Sequence, residues 1–335
     1  MRYFTAAFLQ ILISQFFFST LAFAQTPTYQ FSRKISIPTG NGKWDYQIID
    51  DGKLYVSHAD RIHIIDLKNE EQIGEITGLK GVHGIAPVKD LNKGFISNGT
   101  DNSITVFDLK TYKVLDTIMI EGKKADAILY DQFSKQVFVF NNGSGNAIVI
   151  NPKTDAVVGK VEMGGAPEFA ASNERGSIFN NNEDSHEIFE IDTKTLKVKN
   201  KFSLAPNEIP TGLAIDVKNN RLFSVCRKTK TLVVMDANSG KIVATLPIGA
   251  GVDGVIYDKK LQLIITSNGE GNATIIRQIS ADNYAVSQTL TTSKGQKTIV
   301  FDEKNHNIFL TGANYQEDGK TPAIGTFGVS VYGIK

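Results

Sequence analysis

Seven polar residues recur along this chain at intervals of 38 to 44 positions. Four of them are carboxylates, and the others include one histidine and one lysine. Carboxylates gathered around a common axis would repel one another and raise each other's pKa values, which a bound cation or basic ligand would relieve. The spacing therefore predicts a ligand site, provided that the fold brings these residues together. They are Asp45, His83, Asp126, Glu168, Thr211, Asp253 and Lys297.

Each of these residues is the second member of a segment that repeats through the chain. Seven copies with a period of about 42 residues are typical of the four-stranded blades of a β-propeller. The segments begin Trp44-Asp45-Tyr46, Val82-His83-Gly84, Ala125-Asp126-Ala127, Pro167-Glu168-Phe169, Pro210-Thr211-Gly212, Val252-Asp253-Gly254 and Gln296-Lys297-Thr298.

Within each copy, short runs of β-branched and aromatic residues alternate with turns rich in Asp, Asn and Gly, a pattern that predicts strands. The last copy has only three such runs, at 298–301, 307–311 and 327–333, whereas an extra run at 29–37 precedes the first copy. Pairing of that N-terminal run with the last copy would close the ring and remove exposed sheet edges. We therefore predict an all-β fold: a seven-bladed β-propeller with four-stranded antiparallel blades, in which the N-terminal strand closes the last blade.

In a propeller, the start of each first strand and the turn after each second strand open on the same face of the ring. The repeating carboxylates should therefore meet polar turn residues at one mouth of the central channel. A hydrated channel that holds only ordered water is the alternative interpretation. The residues predicted to bind a ligand are Trp44, Asp45, His58, His83, Asn98, Asp126, Glu168, Arg227, Asp253, Asn268, Glu270 and Lys297.

Side chains at this mouth could also hold a divalent metal ion as a cofactor. Imidazole and thiolate ligands suit zinc or copper, and the candidates of that kind are His58, His83 and Cys226. Carboxylates with amide oxygens suit Ca²⁺ instead. His63 should point along a third strand and is interpreted as part of the scaffold.

The sequence leaves open whether the protein is an enzyme. It lacks the G-x-S-x-G motif of a nucleophile elbow, and its Gly-rich turns are not followed by the helix that a phosphate loop needs. As a metal-assisted hydrolase or lactonase, it would use Asp126 or Asp253 as the general base. Arg227 or Lys297 would then stabilise the oxyanion.

The N-terminus has the features of a secretory signal peptide, with Arg2 before an apolar stretch and Ala22-Phe23-Ala24 as the cleavage pattern. We therefore predict that residues 1–24 are removed and that residues 25–335 form the propeller domain. The mature protein should be periplasmic or secreted, without a membrane span.

Charge and cysteine content restrict the expected partners and crosslinks. Removal of Arg2 leaves 35 basic and 35 acidic side chains, and a formally neutral chain lacks the positive charge that drives nucleic-acid binding. Cys226 is the only cysteine, so packing rather than an intrachain disulfide must stabilise the fold. The expected partner is a small molecule or a periplasmic protein, and the expected state is a monomer.

The repeats resemble the YVTN, or YncE-like, β-propellers of exported bacterial proteins. The resemblance covers essentially the whole mature chain and rests on segments such as Leu54-Tyr55-Val56-Ser57-His58 and Ser103-Ile104-Thr105-Val106-Phe107-Asp108. It implies an exported seven-bladed propeller and, through one relative, DNA binding as a second alternative function.

A looser similarity is to the lactonase propellers, which implies an axial Ca²⁺ held by Glu, Asn and Asp side chains at the channel mouth. The residues that could form that arrangement here are Glu168, Asp253, Asn141 and Asn268.

Overall fold

The computed structural model describes residues 27–39 and 42–335, which form a ring of seven four-stranded antiparallel sheets. This confirms the predicted seven-bladed β-propeller. The predicted signal peptide lies outside the described residues. Within the described ranges, the only helix is a single 3-10 turn at Lys89–Leu91, so no helix there could reach across a bilayer.

The blades are numbered here in chain order, and each runs from the channel outward. Blade 1 is β2 (Trp44–Asp50), β3 (Lys53–His58), β4 (Arg61–Asp66) and β5 (Glu71–Ile76). Blade 2 is β6 (Val82–Val88), β7 (Lys93–Asn98), β8 (Ser103–Asp108) and β9 (Val114–Met119). Blade 3 is β10 (Ala125–Asp131), β11 (Gln136–Asn141), β12 (Asn146–Asn151) and β13 (Ala156–Glu162). Blade 4 is β14 (Pro167–Ser172), β15 (Ser177–Asn182), β16 (Glu187–Asp192) and β17 (Lys197–Ser203).

The remaining blades follow the same plan, except that the last one takes its outermost strand from the N-terminus. Blade 5 is β18 (Pro210–Asp216), β19 (Arg221–Cys226), β20 (Thr231–Asp236) and β21 (Ile242–Pro247). Blade 6 is β22 (Val252–Asp258), β23 (Leu263–Asn268), β24 (Asn272–Ser280) and β25 (Asn283–Thr291). Blade 7 is β26 (Ile299–Phe301), β27 (Ile308–Gly312), β28 (Gly328–Ile334) and β1 (Tyr29–Ser36).

The strand β1 closes the ring, as the sequence predicts. It pairs antiparallel with β28, from Tyr29 opposite Ile334 to Ser36 opposite Gly328. The apolar side chains of Tyr29 and Ile35 are buried by this pairing. Blade 7 therefore contains both ends of the described chain, which gives the ring a closure without a covalent crosslink.

Seven clusters of buried apolar side chains fill the spaces between neighbouring blades. Phe138 and Phe189, for example, lie in the cluster shared by blades 3 and 4. The hairpins on the opposite face from the predicted mouth are fixed locally. Asp108 shows how, because its carboxylate accepts the backbone N–H groups of Lys110 at 2.9 Å and Thr111 at 2.7 Å. This rigid framework fixes the positions of the seven inner strands.

A register irregularity lies near the start of the innermost strand in blades 1 to 6. In blade 3, Ala125 pairs with Asn141, but the next pair is Ile128 with Val139, so Asp126 lies in the bulge. A β-bulge bends its strand and redirects a side chain. The bulges therefore turn the repeating polar residues toward the channel.

Candidate functional site

A small cavity lies at the channel mouth formed by the repeating residues. Its volume is about 150 Å³, which is below the roughly 300 to 1,000 Å³ of sites for drug-sized ligands. It has room for a cation with a few waters or for a small polar molecule. Six of the seven repeating residues line it, together with Arg227: Asp45, Asp126, Glu168, Thr211, Asp253 and Lys297. We call this space the mouth cavity.

The seventh repeating residue, His83, contacts two carboxylates of the mouth cavity. Its Nδ1 lies 2.6 Å from Asp45 Oδ2 and 3.6 Å from Asp126 Oδ1. Burial alone would lower the pKa of His83, but the hydrogen bond that His83 donates to Asp45 and the negative charge of Asp126 outweigh it and raise that pKa. One ligand atom from each of these three residues lies within 4.8 Å of the others, a spacing that a single metal ion could bridge.

Asp126 is the least satisfied member of this group. It is only 6% exposed, and among the described residues its carboxylate has no hydrogen bond, only the 3.6 Å ion pair with His83. Burial, opposed by His83 and reinforced by Asp45, raises the pKa of Asp126 to about 6. The carboxylate of Asp126 faces the mouth cavity, and a cation bound there would offset the cost of its partial burial.

The opposite side of the mouth cavity is already neutralised by internal ion pairs. Asp253 binds Lys297 Nζ at 2.5 Å and also pairs with the guanidinium of Arg227. A second contact of Arg227, at 3.4 Å, reaches Glu183. Both basic side chains are therefore engaged with carboxylates of neighbouring blades, and neither stands free to stabilise an oxyanion.

Glu168 shares its surroundings with another carboxyl group, that of Glu183. Burial, with the charges of Asp126 and Glu183, raises the pKa of Glu168 to about 9, and burial also raises the pKa of Glu183. The side-chain amide of Asn142 donates to Glu168 Oε1 at 2.9 Å. Its raised pKa favours the protonated form of Glu168 at neutral pH, and in that form its carboxyl group can donate a hydrogen bond.

Two aromatic side chains, Tyr46 and Phe169, form the floor of the mouth cavity. Their ring centroids are 5.4 Å apart, and both also line a mainly apolar space of about 250 Å³ below, with Ile85 and Leu129. The channel is therefore divided into a polar mouth and an apolar lower part. The sequence predictions did not include this floor.

Four residues predicted to bind a ligand or a metal at the mouth lie elsewhere. The amides of Asn98, Asn141 and Asn268 are buried and donate to side chains of the third strand of their own blade, for example to Ser103 at 3.1 Å. Glu270 accepts a hydrogen bond from Asn272 and does not line the mouth cavity. The predicted calcium set of Glu168, Asp253, Asn141 and Asn268 is therefore not brought together.

The predicted set of His58, His83 and Cys226 is not brought together either. Cys226 is fully buried in the apolar cluster between blades 4 and 5, where burial raises the pKa of its thiol to about 12. His58 stacks on Phe327 with a centroid distance of 4.3 Å. Trp44 lies in the same core between blades 7 and 1, so neither residue lines the mouth cavity.

The close approach of neighbouring inner strands explains why glycine follows several of the repeating residues. A Cβ atom at Gly212 would lie 2.8 Å from the carbonyl oxygen of Asp253 and 3.0 Å from the nitrogen of Val255. We expect Gly212→Ala to push the inner strands of blades 5 and 6 apart and to destabilise the protein by about 1 to 3 kcal/mol. Urea unfolding measures this change.

The control for this prediction is Gly333→Ala. A Cβ atom at Gly333 would have its close contact with the flexible side chain of Asn307 rather than with backbone. Equal stability losses in both variants would contradict the close approach of the inner strands as the reason for Gly212.

Comparison with known proteins identifies the fold and goes no further. No protein-family model and no curated protein matches the chain, whereas 1769 chains of solved structures do. Among them is the crystal structure of RRP9 WD40 repeats, which is 9% identical, covers 92% of this chain and 100% of its own, and has a TM-score of 0.78. At this identity the likeness shows a shared propeller fold, which is used for many unrelated functions.

Proposed function

We propose that this protein is an exported, YncE-like propeller that binds a transition-metal ion at its channel mouth. The ion would be held by Asp45, His83 and Asp126, and its open side would accept a small polar ligand from the periplasm or the medium. The observation that carries this proposal is the buried Asp126 carboxylate, which has no hydrogen bond within the described part of the chain and lies 3.6 Å from His83 Nδ1.

The donor set decides which class of ion fits. One imidazole nitrogen and two carboxylate oxygens are ligands of zinc and related ions, whereas Ca²⁺ takes six to eight oxygens. Three protein ligands also leave a coordination position open, as in catalytic rather than structural zinc sites. The mouth cavity of about 150 Å³ lies next to that position. These features support a small ligand bound next to the ion.

Zinc binding to a single-substitution variant tests this proposal. We expect the mature protein to bind one zinc ion at this site, more tightly at pH 8 than at pH 6, because zinc must displace the proton on His83. Asp126→Asn should abolish binding without unfolding the protein, since the Asp126 carboxylate has no hydrogen bond to lose among the described residues. Calorimetric titration with zinc measures both effects.

Asp116 supplies a matched control, because it is an exposed aspartate on the outer strand β9. Asp116→Asn should bind zinc like the wild type. The proposed site is wrong if the wild type does not bind zinc, or if Asp126→Asn still binds it.

A metal-assisted hydrolase is a second candidate, favoured by a carboxyl group of raised pKa inside the same cavity. The pKa of Glu168 is raised to about 9, so Glu168 can serve as a general acid. The ion held by Asp45, His83 and Asp126 would polarise the substrate carbonyl. Glu168→Gln should then lower kcat on a lactone or ester substrate by at least about 100-fold. A zinc-loaded protein that hydrolyses no member of a lactone and ester panel would eliminate this candidate.

A further inference from the structure

A pair of buried histidines lies outside the mouth cavity, between blade 1 and the start of β28. His58 and His63 are 2% and 1% exposed, and Phe327 stacks on His58. Their ring centroids are 5.6 Å apart, but His58 Nδ1 and His63 Nε2 are only 3.5 Å apart. The two nitrogens therefore point toward each other.

The outer nitrogens of both rings lie next to polar groups. His58 forms a hydrogen bond with the backbone of Gly42, the residue next to its Nε2. On the other ring, His63 Nδ1 lies 3.6 Å from Glu75 Oε1. A neutral His58 that donates from Nε2 has its lone pair on Nδ1, directed at His63.

Each neutral form of His63 leaves one of its ring nitrogens facing a lone pair or a carboxylate. With its proton on Nδ1, His63 would place its Nε2 lone pair against the lone pair of His58 Nδ1. With its proton on Nε2, His63 could donate to His58, but its Nδ1 lone pair would then face the Glu75 carboxylate. The side chain of Gln72 also lies within reach of the His63 ring, although His63 Nδ1 has no hydrogen-bond partner among the described residues. Burial opposes an additional proton, because it lowers the pKa of His63 to about 4.

We propose that His58 Nδ1 and His63 Nε2 bind one copper(I) ion. An ion between the two lone pairs removes the conflict in the first form of His63. It leaves His63 Nδ1–H directed at Glu75, which is the carboxylate–histidine–metal arrangement found around protein metal sites. With metal–nitrogen distances of about 2.0 Å, a separation of 3.5 Å corresponds to a nitrogen–metal–nitrogen angle of roughly 120°.

Ligand number and charge favour copper(I) over zinc at this pair. Zinc in a closed site takes four protein ligands, whereas the group here offers two nitrogens and the Thr39 hydroxyl, 3.4 Å from His58 Nδ1. Imidazole is a good ligand for copper, and copper(I) is stable with two or three ligands. The charged neighbours add up to one negative charge, since Arg61 pairs with both Glu75 and Asp60. A monovalent ion makes the two histidines and their charged neighbours neutral together.

Anaerobic titration with copper(I) against a chromophoric chelator tests the site in the full mature protein. We expect one equivalent to bind, and we expect X-ray absorption at the copper edge to show nitrogen ligands at about 2.0 Å without sulfur. His63→Gln should abolish binding. Because that residue is buried, Glu75→Gln is the second variant. It keeps both imidazoles, and loss of its charge should weaken binding by roughly 10- to 100-fold.

Two further variants separate this site from the mouth cavity and from the protein surface. His186→Gln removes a partly exposed histidine and should leave copper affinity unchanged, as should Asp126→Asn. The proposal is overturned if the wild type does not bind copper, or if the bound copper shows a sulfur ligand from Cys226. It is also overturned if Asp126→Asn abolishes copper binding while His63→Gln keeps it.

Discussion

Glu168→Gln should make the protein more stable at neutral and alkaline pH, although it removes an ionisable residue from the candidate site. The folded state keeps Glu168 protonated up to about pH 9, whereas a glutamate in the unfolded chain loses its proton near pH 4.3. Holding that proton costs free energy that glutamine, a neutral side chain of the same shape, does not require. We expect a gain of a few kcal/mol at pH 8, with about 5 kcal/mol as the upper bound that these two pKa values set.

The pH dependence gives this prediction its sign. Between the two pKa values the folded state binds more protons than the unfolded state, so the contribution of Glu168 to stability falls as the pH rises toward 9. The gain from Glu168→Gln should therefore be largest near pH 9 and should vanish below about pH 4.3. Urea unfolding at pH 5, 7 and 9 measures it.

Glu317→Gln is the control, because Glu317 is exposed in the loop between β27 and β28. It should change stability little at any of the three pH values. A Glu168→Gln protein that is less stable than the wild type, or whose advantage does not grow with pH, would show that Glu168 is ionised in the folded protein. If the hydrolase candidate is also correct, the more stable variant will be the less active one.

The blade count and the ring closure could be predicted because both depend on sequence periodicity. A period of about 42 residues specifies one blade. The additional N-terminal run at 29–37 can pair only with the open edge of the last copy, which has three strands of its own. The positions of the repeating residues follow from the same periodicity, because equivalent residues of a ring face the same axis. The β26 strand shows the limit: it begins at Ile299, one residue later than predicted, so Lys297 and Thr298 precede it.

The partners of each charged side chain could not be predicted, because they lie on neighbouring blades and depend on side-chain conformation. Asp253, for example, could have faced an open channel, but Arg227 and Lys297 both reach it. The sequence gives no measure of these distances. The carboxylate of Asp126, with one ion pair at 3.6 Å, and that of Asp253, with two ion pairs, therefore look alike in the sequence.

Two features were missed although the aligned repeats contain a signal for them. The third position of the repeated segments holds two large aromatic residues, Tyr46 and Phe169, whereas the other blades have small residues there. Two large rings can close a narrow channel when the remaining blades leave space for them. The last position of the second strand repeats asparagine in four blades, at Asn98, Asn141, Asn182 and Asn268. An asparagine that recurs in several blades is more simply explained by a hydrogen bond within each blade than by binding of a single ligand at the channel mouth.

The N-terminal strand is the element whose loss should have the largest effect on stability. Deletion of residues 27–38 removes the buried side chains of Tyr29, Ile35 and Ile37. At about 1.5 to 3 kcal/mol for each large apolar side chain, the loss approaches the 5 to 15 kcal/mol of a typical domain. It also leaves the edge of β28 unpaired and open to association with other chains. We expect the truncated protein to be largely unfolded or aggregated at 37 °C, as thermal unfolding and gel filtration will show.

Addition of the missing strand as a separate peptide distinguishes ring closure from a general effect of truncation. A synthetic peptide of residues 27–38 should bind the truncated protein at the β28 edge and raise its melting temperature in proportion to peptide concentration. The same peptide with Ile35→Ala should stabilise far less, whereas one with Phe31→Ala should work nearly as well, because Phe31 is 57% exposed and Ile35 only 5%. A truncated protein that melts like the wild type would mean that six complete blades and three strands suffice, and that β1 contributes little to the ring.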